Sequence, residues 1–198
     1  GCFVLLSLCV GAVSLLLELA ARVRFLGGAA SLAAAGLLAW SARLAGPASP
    51  LPPALQSPFF APHVVSYFIA YGALTVAALA AVVLLVGKMG PGPIFQGAEE
   101  FIGRAGRIGF PFLTLGLVLG AFWAQAAYAD WWAWDPKEVW ALVTWLLVAG
   151  WFHLWTAGRR GAATLVLLLA AVGAMYFTLF GVDYLPTAAQ SLHTYTQP

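Results

Sequence analysis

Residues 122–140 hold an unusual density of large aromatic side chains. Eight of the nine tryptophans lie between residues 123 and 155, and five of those lie within 123–140. Trp131, Trp132 and Trp134 stand almost side by side. Tryptophans normally collect in belts at both membrane interfaces, whereas flat rings packed side by side form a platform for a large, flat, apolar ligand. We interpret the cluster as such a platform, with packing in an interfacial belt as the alternative.

The chain has three histidines, His63, His153 and His193. A neutral imidazole is a good axial ligand for haem iron, and two imidazoles on opposite faces complete six-coordination. A lone histidine at a helix end is more often a hydrogen-bonded structural residue. Two histidines that flank an aromatic platform favour the metal-ligand interpretation instead. The topology of the chain determines whether the histidines lie on the same side as the platform.

The composition indicates a membrane protein. Of 198 residues, 63% are hydrophobic and only 8% are charged, whereas soluble domains carry about 25% charged residues. The charges separate apolar stretches of about 20 residues, the length that a helix needs to cross the hydrocarbon core. The sequence therefore predicts an all-α, polytopic membrane protein, with a single membrane domain over 1–198. We predict six spans, at about 2–20, 26–45, 63–87, 108–128, 137–157 and 161–182.

The basic residues set the orientation of these spans. In a six-span topology seven of them share one side, which we assign to the cytoplasm: Arg22, Arg24, Lys88, Arg104, Arg107, Arg159 and Arg160. Only Arg43 and Lys137 fall on the other side. The loops 46–62 and 129–136 and both termini then face outward, which places His63 and His193 on the same side as the tryptophans. We predict that these two histidines are the axial ligands of one outward-facing haem. The net charge of +2 gives no indication of a nucleic-acid partner.

His153 lies about 17 residues into the fifth span, roughly 25 Å inward from the tryptophan loop at 1.5 Å per residue. It cannot share the outer iron. An ionisable side chain inside a membrane helix is a functional candidate, here for a second haem site. Its other ligand would come from another chain, from a group other than histidine, or from water. A hydrogen bond to a neighbouring helix is the structural alternative.

Two further local patterns predict structure. Asp135, Pro136 and Glu138 form an N-cap, a first helical position and a capping box, so the fifth span begins there with its positive dipole end toward the outer loop. On this interpretation Asp135 is a structural cap. Residues 94–107 alternate apolar and charged positions at helical spacing, with Glu100 and Arg104 placed for an i, i+4 pair. They predict an amphipathic helix on the inner membrane surface. Trp151 and Trp155 fit a belt at the inner interface.

Residues 132–146, WAWDPKEVWALVTWL, resemble the tryptophan-rich WWD signature of haem-handling membrane proteins. The Trp-Asp-Pro-Lys-Glu version is similar to the CcsA (ResC) type subunit of the System II cytochrome c synthase. Residues 53–57 before His63, and 191–195 around His193, are similar to the segments that hold that family's two outer histidines. His153 falls where the family carries a transmembrane histidine. The resemblance covers about 46–195, and residues 1–45 hold two spans with no clear counterpart.

The resemblance implies a subunit for haem export and cytochrome c haem lyase activity. Haem b would pass from the cytoplasm near His153 to the outer site, where the thiols of an apocytochrome c Cys-x-x-Cys-His motif add to its vinyl groups. A CcsB (ResB) type membrane subunit would supply the missing inner ligand. The implied location is the plasma (inner) membrane of a bacterium or a thylakoid membrane, with the outer haem on the periplasmic or equivalent side. The residues that would contact the porphyrin are Trp131, Trp132, Trp134, Asp135 and Trp140.

Two other function classes stay open at this point. A haem-binding regulator or chaperone of the same superfamily would handle haem without forming thioether bonds. Covalent haem attachment to a co-expressed apocytochrome would separate this class from a synthase subunit. An electron-carrying b-type subunit would need histidine pairs within the helices, and the distribution of the three histidines disfavours it.

Overall fold

The structure is a computed structural model. It describes residues 52–87 and 93–187, together with residues 4, 7–12, 15, 34–36, 38–39 and 42–43. A 3-10 turn, Pro53–Gln56, precedes four long helices, which we label α1 (Phe60–Val86), α2 (Pro93–Tyr128), α3 (Pro136–Thr156) and α4 (Ala162–Tyr176). The chain continues from α4 through a π-helical turn, Phe177–Gly181, and a 3-10 turn, Val182–Tyr184.

Among the described residues, four helical segments are long and apolar enough to cross a membrane: Phe60–Val86, Gly97–Tyr128, Pro136–Thr156 and Ala162–Tyr184. They confirm the all-α polytopic class and correspond to the last four predicted spans. The first two predicted spans, 2–20 and 26–45, lie mainly outside the described residues. The positions described there are helical, and the count of six stays a prediction.

The four helices form a ring in which α1 and α3 each pack against both α2 and α4. Glycines on α2 allow α1 to approach closely, as small residues do in membrane bundles. A Cβ on Gly109 would lie 2.9 Å from Cγ of Leu74, and a Cβ on Gly116 would lie 3.0 Å from Cγ of Tyr67. Residue numbers fall along α2 as they rise along α1, so the two helices are antiparallel.

Polar side chains link the helices inside the bundle. Thr75 of α1 and Tyr176 of α4 share a hydrogen bond of 2.8 Å, and Trp145 of α3 donates to Thr114 of α2 over 2.9 Å. Because lipid offers no competing water, such bonds contribute about 0.6–2 kcal/mol each to helix association. These hydrogen bonds fix the rotation of each helix about its axis. The rotation determines which side chains face into the bundle.

The prediction of a separate amphipathic helix on the inner surface is wrong. Residues 93–107 are the first turns of α2, which runs without interruption for 36 residues. The apolar positions that repeat at helical spacing pack into the bundle, where Ala98, Phe101, Ile102 and Ala105 are at most 1% exposed. The apolar pattern of residues 94–107 therefore indicates the side of the helix that faces the protein, not a side that faces lipid. The expected ion pair between Glu100 and Arg104 is present.

The assignment of Trp151 and Trp155 to an inner interfacial belt is also wrong. Their side chains are 0% and 4% exposed. A Cβ on Gly106 would lie 2.6 Å from Cη2 of Trp151, and a Cβ on Gly103 would lie 2.9 Å from Nε1 of Trp155. The two indoles fill the space that these glycines leave between α2 and α3, and they belong to the core.

Candidate functional site

His63 lies in the first turn of α1 and is held from both α1 and α2. Its Nδ1 is 2.9 Å from the backbone carbonyl oxygen of Gly116. The imidazole stacks on Trp123, with ring centroids 5.8 Å apart and planes 11° apart, and Tyr67 meets it edge-on at 5.0 Å. These contacts fix both the position and the plane of the ring at the end of the bundle that carries the tryptophan loop.

Trp123 connects His63 to the segment before α1. The indole is 2% exposed, and its Nε1 donates to the carbonyl of Ala54 over 2.8 Å. Phe60 and Tyr128 pack around the same indole. The Trp123 side chain therefore connects the 3-10 turn Pro53–Gln56 to the C-terminal end of α2. The buried indole also supports the imidazole.

A row of aromatic rings leads from this region to the tryptophan loop. Phe59 packs on Phe122 at 5.6 Å, and Phe122 meets Trp131 edge-on at 5.1 Å. Trp131 is 50% exposed, so one side of its ring rests on protein and the other is open. The loop is thus in contact with Phe122 and, through it, with Phe59, and these two residues neighbour Trp123 and His63 along the chain.

The loop between α2 and α3 has an unusual backbone. Ala129 and Trp134 adopt positive φ angles of 60° and 57°, a region that is costly for a bulky residue and that clusters at functional sites. The carboxylate of Glu138 accepts hydrogen bonds from the backbone N–H groups of Ala133 and Asp135, at 2.9 and 3.1 Å. This double contact stabilises the strained turn. It leaves the Trp134 side chain 69% exposed.

The predicted start of α3 is confirmed. Asp135 is the N-cap residue, Pro136 follows in the first turn, and Glu138 completes the capping box. The Asp135 carboxylate is 5% exposed and accepts from the backbone N–H of Lys137 over 2.8 Å. The positive end of the α3 dipole therefore lies beneath the loop.

A recess of about 420 Å³ opens beside the loop. Trp134, Asp135 and Trp140, three of the predicted site residues, line it together with Leu185 and Thr187. Trp132 touches Trp134 edge-on at 5.9 Å. His63 is not among the residues that line this recess and lies next to Trp123.

The other two histidines fall in different places. His153 lies in the last turn of α3, and its side chain is exposed on the outside of the helix ring, on the same face as Leu146 and Gly150. Eighteen residues separate it from the N-cap Asp135, about 27 Å along the helix axis. His193 lies outside the described residues, so its pairing with His63 stays a prediction.

His63 and the aromatic residues around it suit haem. One ring nitrogen of His63 is hydrogen-bonded to a backbone carbonyl, and metal-binding histidines favour this kind of support for the nitrogen that does not bind the metal. The neighbouring rings offer the flat apolar contacts that a porphyrin needs. Sequence reasoning missed Trp123, Tyr67 and the α2 glycines as parts of this site. The four-residue spacing of His63 with Tyr67, and of Gly116 with Gly120, was the available signal.

Comparison with known proteins gives a consistent family. The sequence profile of the family described as Cytochrome C assembly protein matches residues 1–189. Cytochrome c biogenesis protein CcsA of Chlamydomonas reinhardtii is 37% identical over 158 residues, which cover 75% of this chain and 43% of that protein. The protein of that name from Synechococcus elongatus is 30% identical over 241 residues, covering 93% of this chain and 73% of the relative.

A third relative, CcsA of Gloeobacter violaceus, is 43% identical over 95 residues, covering 44% of this chain and 25% of that protein. The chain thus spans less than half the length of the Chlamydomonas relative and about three quarters of the Synechococcus one. With a profile match over almost its whole length, this chain belongs to the cytochrome c assembly protein family.

Proposed function

We propose that this chain takes up haem in the membrane and presents it on the outer side for covalent attachment to an apocytochrome c. The relatives to which it is similar are named for cytochrome c biogenesis. The observation that carries the proposal is the fixed imidazole of His63, held by Gly116 and Trp123 at the end of the bundle that carries the tryptophan loop. A haem-presenting site requires a fixed imidazole and exposed aromatic rings, and both occur at this end of the bundle.

Each residue has a separate role in this proposal. His63 and His193 would hold the haem iron. Trp131, Trp132 and Trp134 contact the porphyrin, and Asp135 and Trp140 form the wall of the recess beside them. Haem b, when bound, would supply the vinyl carbons to which the cysteine thiols add. The chain's own contribution is to position the group and exclude water, because positioning alone accounts for large rate gains when two reactants must meet.

The exposed face of α3 gives the inner part of the proposal. Leu146, Gly150 and His153 share a face that the described helices do not cover. A polar imidazole at this position is costly in lipid unless it has a partner. We assign the partner role to a CcsB-type membrane subunit, which would bring the second ligand of an inner haem to His153.

The test is haem content and covalent transfer. The chain is purified alone and with a CcsB-type subunit from a bacterial plasma membrane, and haem is measured by absorption spectrum and pyridine haemochrome. We expect His63→Ala to lose outer-site haem, with partial recovery on adding imidazole, and Val166→Ala, at an exposed position of α4, to serve as the control. Unchanged haem content and spectrum in His63→Ala would contradict the proposal.

A second assay separates the two classes of haem protein that the sequence left open. An apocytochrome c with its Cys-x-x-Cys-His motif is co-expressed, and covalent haem is detected on the denatured cytochrome. We expect covalent haem from the chain together with its partner. Haem binding without any covalent product would assign the chain to the regulator or chaperone class.

A further inference from the structure

Two glycines of α2 pack against the part of α1 that holds the candidate haem ligand: Gly120 faces His63, and Gly116 faces Tyr67. Gly116 and Gly120 are four residues apart, and so are Tyr67 and His63 on the antiparallel helix α1. A Cβ on Gly120 would lie 2.8 Å from Cε1 and 2.9 Å from Nδ1 of His63. Real Cβ atoms essentially never lie this close to another atom. The group that the Cβ would meet is the imidazole ring of His63, which already stacks on Trp123. Any side chain at position 120 would therefore displace the imidazole.

The spacing of the two glycines has a physical reason. In an α-helix the carbonyl of residue 116 points toward residue 120, whose N–H it accepts. A side chain at position 120 leans back toward the preceding turn and would cover this carbonyl. Glycine at position 120 leaves the carbonyl oxygen of Gly116 open to a second donor, and Nδ1 of His63 approaches it to 2.9 Å.

This contact determines the protonation of the ring. A backbone carbonyl oxygen can only accept a hydrogen bond, so Nδ1 must carry the proton. In the neutral ring the lone pair then resides on Nε2. Nε2 lies 3.8 Å from the Cβ position of residue 120, against 2.9 Å for Nδ1. Nε2 is thus the ring nitrogen that lies farther from Gly120.

We propose that Gly116 and Gly120 form a seat that holds His63 as the Nδ1–H tautomer and presents Nε2 as the iron-ligating atom. The consequence for haem rests on the proposed function of His63, whereas the tautomer does not. A carbonyl behind a ligating imidazole fixes its orientation and raises its basicity. Gly116 and Gly120 are therefore positioning residues of the haem site and not merely small packing residues.

The first test needs no haem. The haem-free chain is labelled with ¹⁵N-histidine in detergent, and His63→Ala identifies the His63 signals among three histidines. We expect the wild-type ring to be the Nδ1–H tautomer. Gly120→Ala should shift it to a mixture or to the other tautomer, while Gly173→Ala, where a Cβ meets open space, should leave it unchanged. A wild-type ring with its proton on Nε2 would overturn the proposal, even if the alanine variant failed to fold.

The second test uses haem retention. Loss of a second-shell partner weakens metal binding by about 10–100-fold, so Gly120→Ala should lower haem affinity by that factor and alter the axial-ligand spectrum. The effect should require the imidazole side chain. In a His63→Gly background supplied with free imidazole, Gly and Ala at position 120 should retain haem equally. A Gly120→Ala chain with normal affinity and spectrum would refute the seat.

The two proposals fail separately. If the tautomer is as expected but His63→Ala retains haem normally, the seat stands and His63 is not the ligand. If His63→Ala loses haem while the wild-type ring carries its proton on Nε2, the haem assignment stands and the seat is wrong. Size-exclusion elution identical to that of Gly173→Ala shows that the Gly120→Ala chain has folded.

Discussion

Lys137 and Asp183 form an ion pair, with 2.8 Å between Nζ and Oδ1. The pair joins the first turn of α3 to the 3-10 turn that follows α4. The chain then passes directly to Leu185 and Thr187, which line the recess together with Trp134 and Trp140. The ion pair thus holds the two walls of the recess together.

Breaking this pair should affect the recess more than the fold. The two side chains are 25% and 45% exposed, and pairs of this kind contribute about 0–1 kcal/mol to stability. We expect Lys137→Met to leave thermal unfolding nearly unchanged and to reduce haem retention severalfold. The swapped variant, Lys137→Asp with Asp183→Lys, should restore it. Arg104→Ala, which removes an ion pair at the other end of the bundle, is the control. Equal retention in Lys137→Met and wild type would mean that the pair does not shape the recess.

Glu138 should control the order of the tryptophan loop. Glu138→Ala removes an acceptor from two backbone N–H groups, which costs about 1 kcal/mol for each lost hydrogen bond. We expect faster hydrogen exchange at Ala133 and Asp135 and faster proteolysis within 129–135. Glu138→Gln keeps an acceptor oxygen and should change little. Identical exchange rates in the Ala and Gln variants would show that the hydrogen bonds from Ala133 and Asp135 do not hold the loop.

Replacing Trp134 with glycine should relieve backbone strain and also weaken haem binding. Its φ of 57° favours glycine, because a Cβ in this region costs about 1 kcal/mol. Trp134→Gly should be more stable than Trp134→Ala by about that amount, as measured by thermal unfolding in detergent. Both variants lack the ring, so haem retention should fall in both, by at least about tenfold if the ring stacks on the porphyrin. A glycine variant that is less stable than the alanine variant would contradict the strain argument.

Trp151 should matter for the fold and not for haem in particular. The indole is fully buried against Gly106, and its Nε1 has no hydrogen-bond partner among the described residues. Trp151→Ala should destabilise the bundle by about 3–5 kcal/mol. Trp151→Phe, which removes the unpaired N–H and keeps most of the ring, should be much milder. A Phe variant as unstable as the Ala variant would indicate that the indole N–H has a partner outside the described residues.

The local parts of the structure were predictable where adjacent residues determine them. Asp135, Pro136 and Glu138 are consecutive or nearly so, and helix capping depends on those positions alone. The apolar stretches likewise predicted the four described spans, because length and hydropathy decide membrane insertion. Orientation relative to neighbouring helices was not predictable in this way. The apolar face of 94–107 fits a lipid surface and a protein core equally well.

The support around His63 was not predicted because it depends on which helices touch. Hydrogen bonding to Gly116 and stacking on Trp123 join residues more than 50 positions apart. Only the packing of α1 on α2 brings them together. The same holds for Trp151, which the sequence placed at a lipid interface and the glycines of α2 place in the core. The pairing of His63 with His193 lies outside the described residues and stays a prediction.

His153 gives the last prediction. Because its side chain is exposed on the outside of the bundle, His153→Ala should change the stability of the chain by less than about 0.5 kcal/mol, as for other exposed positions. If His153 is the inner ligand, the same variant should deplete haem at the outer site when a CcsB-type subunit is present. The haem that still reaches the outer site should keep its normal spectrum, since His63 and its supports are unchanged. Leu146→Ala, on the same face of α3, separates loss of the imidazole from weakened contact with the partner. Normal outer-site loading in His153→Ala with the partner present would exclude an obligatory passage of haem through this residue.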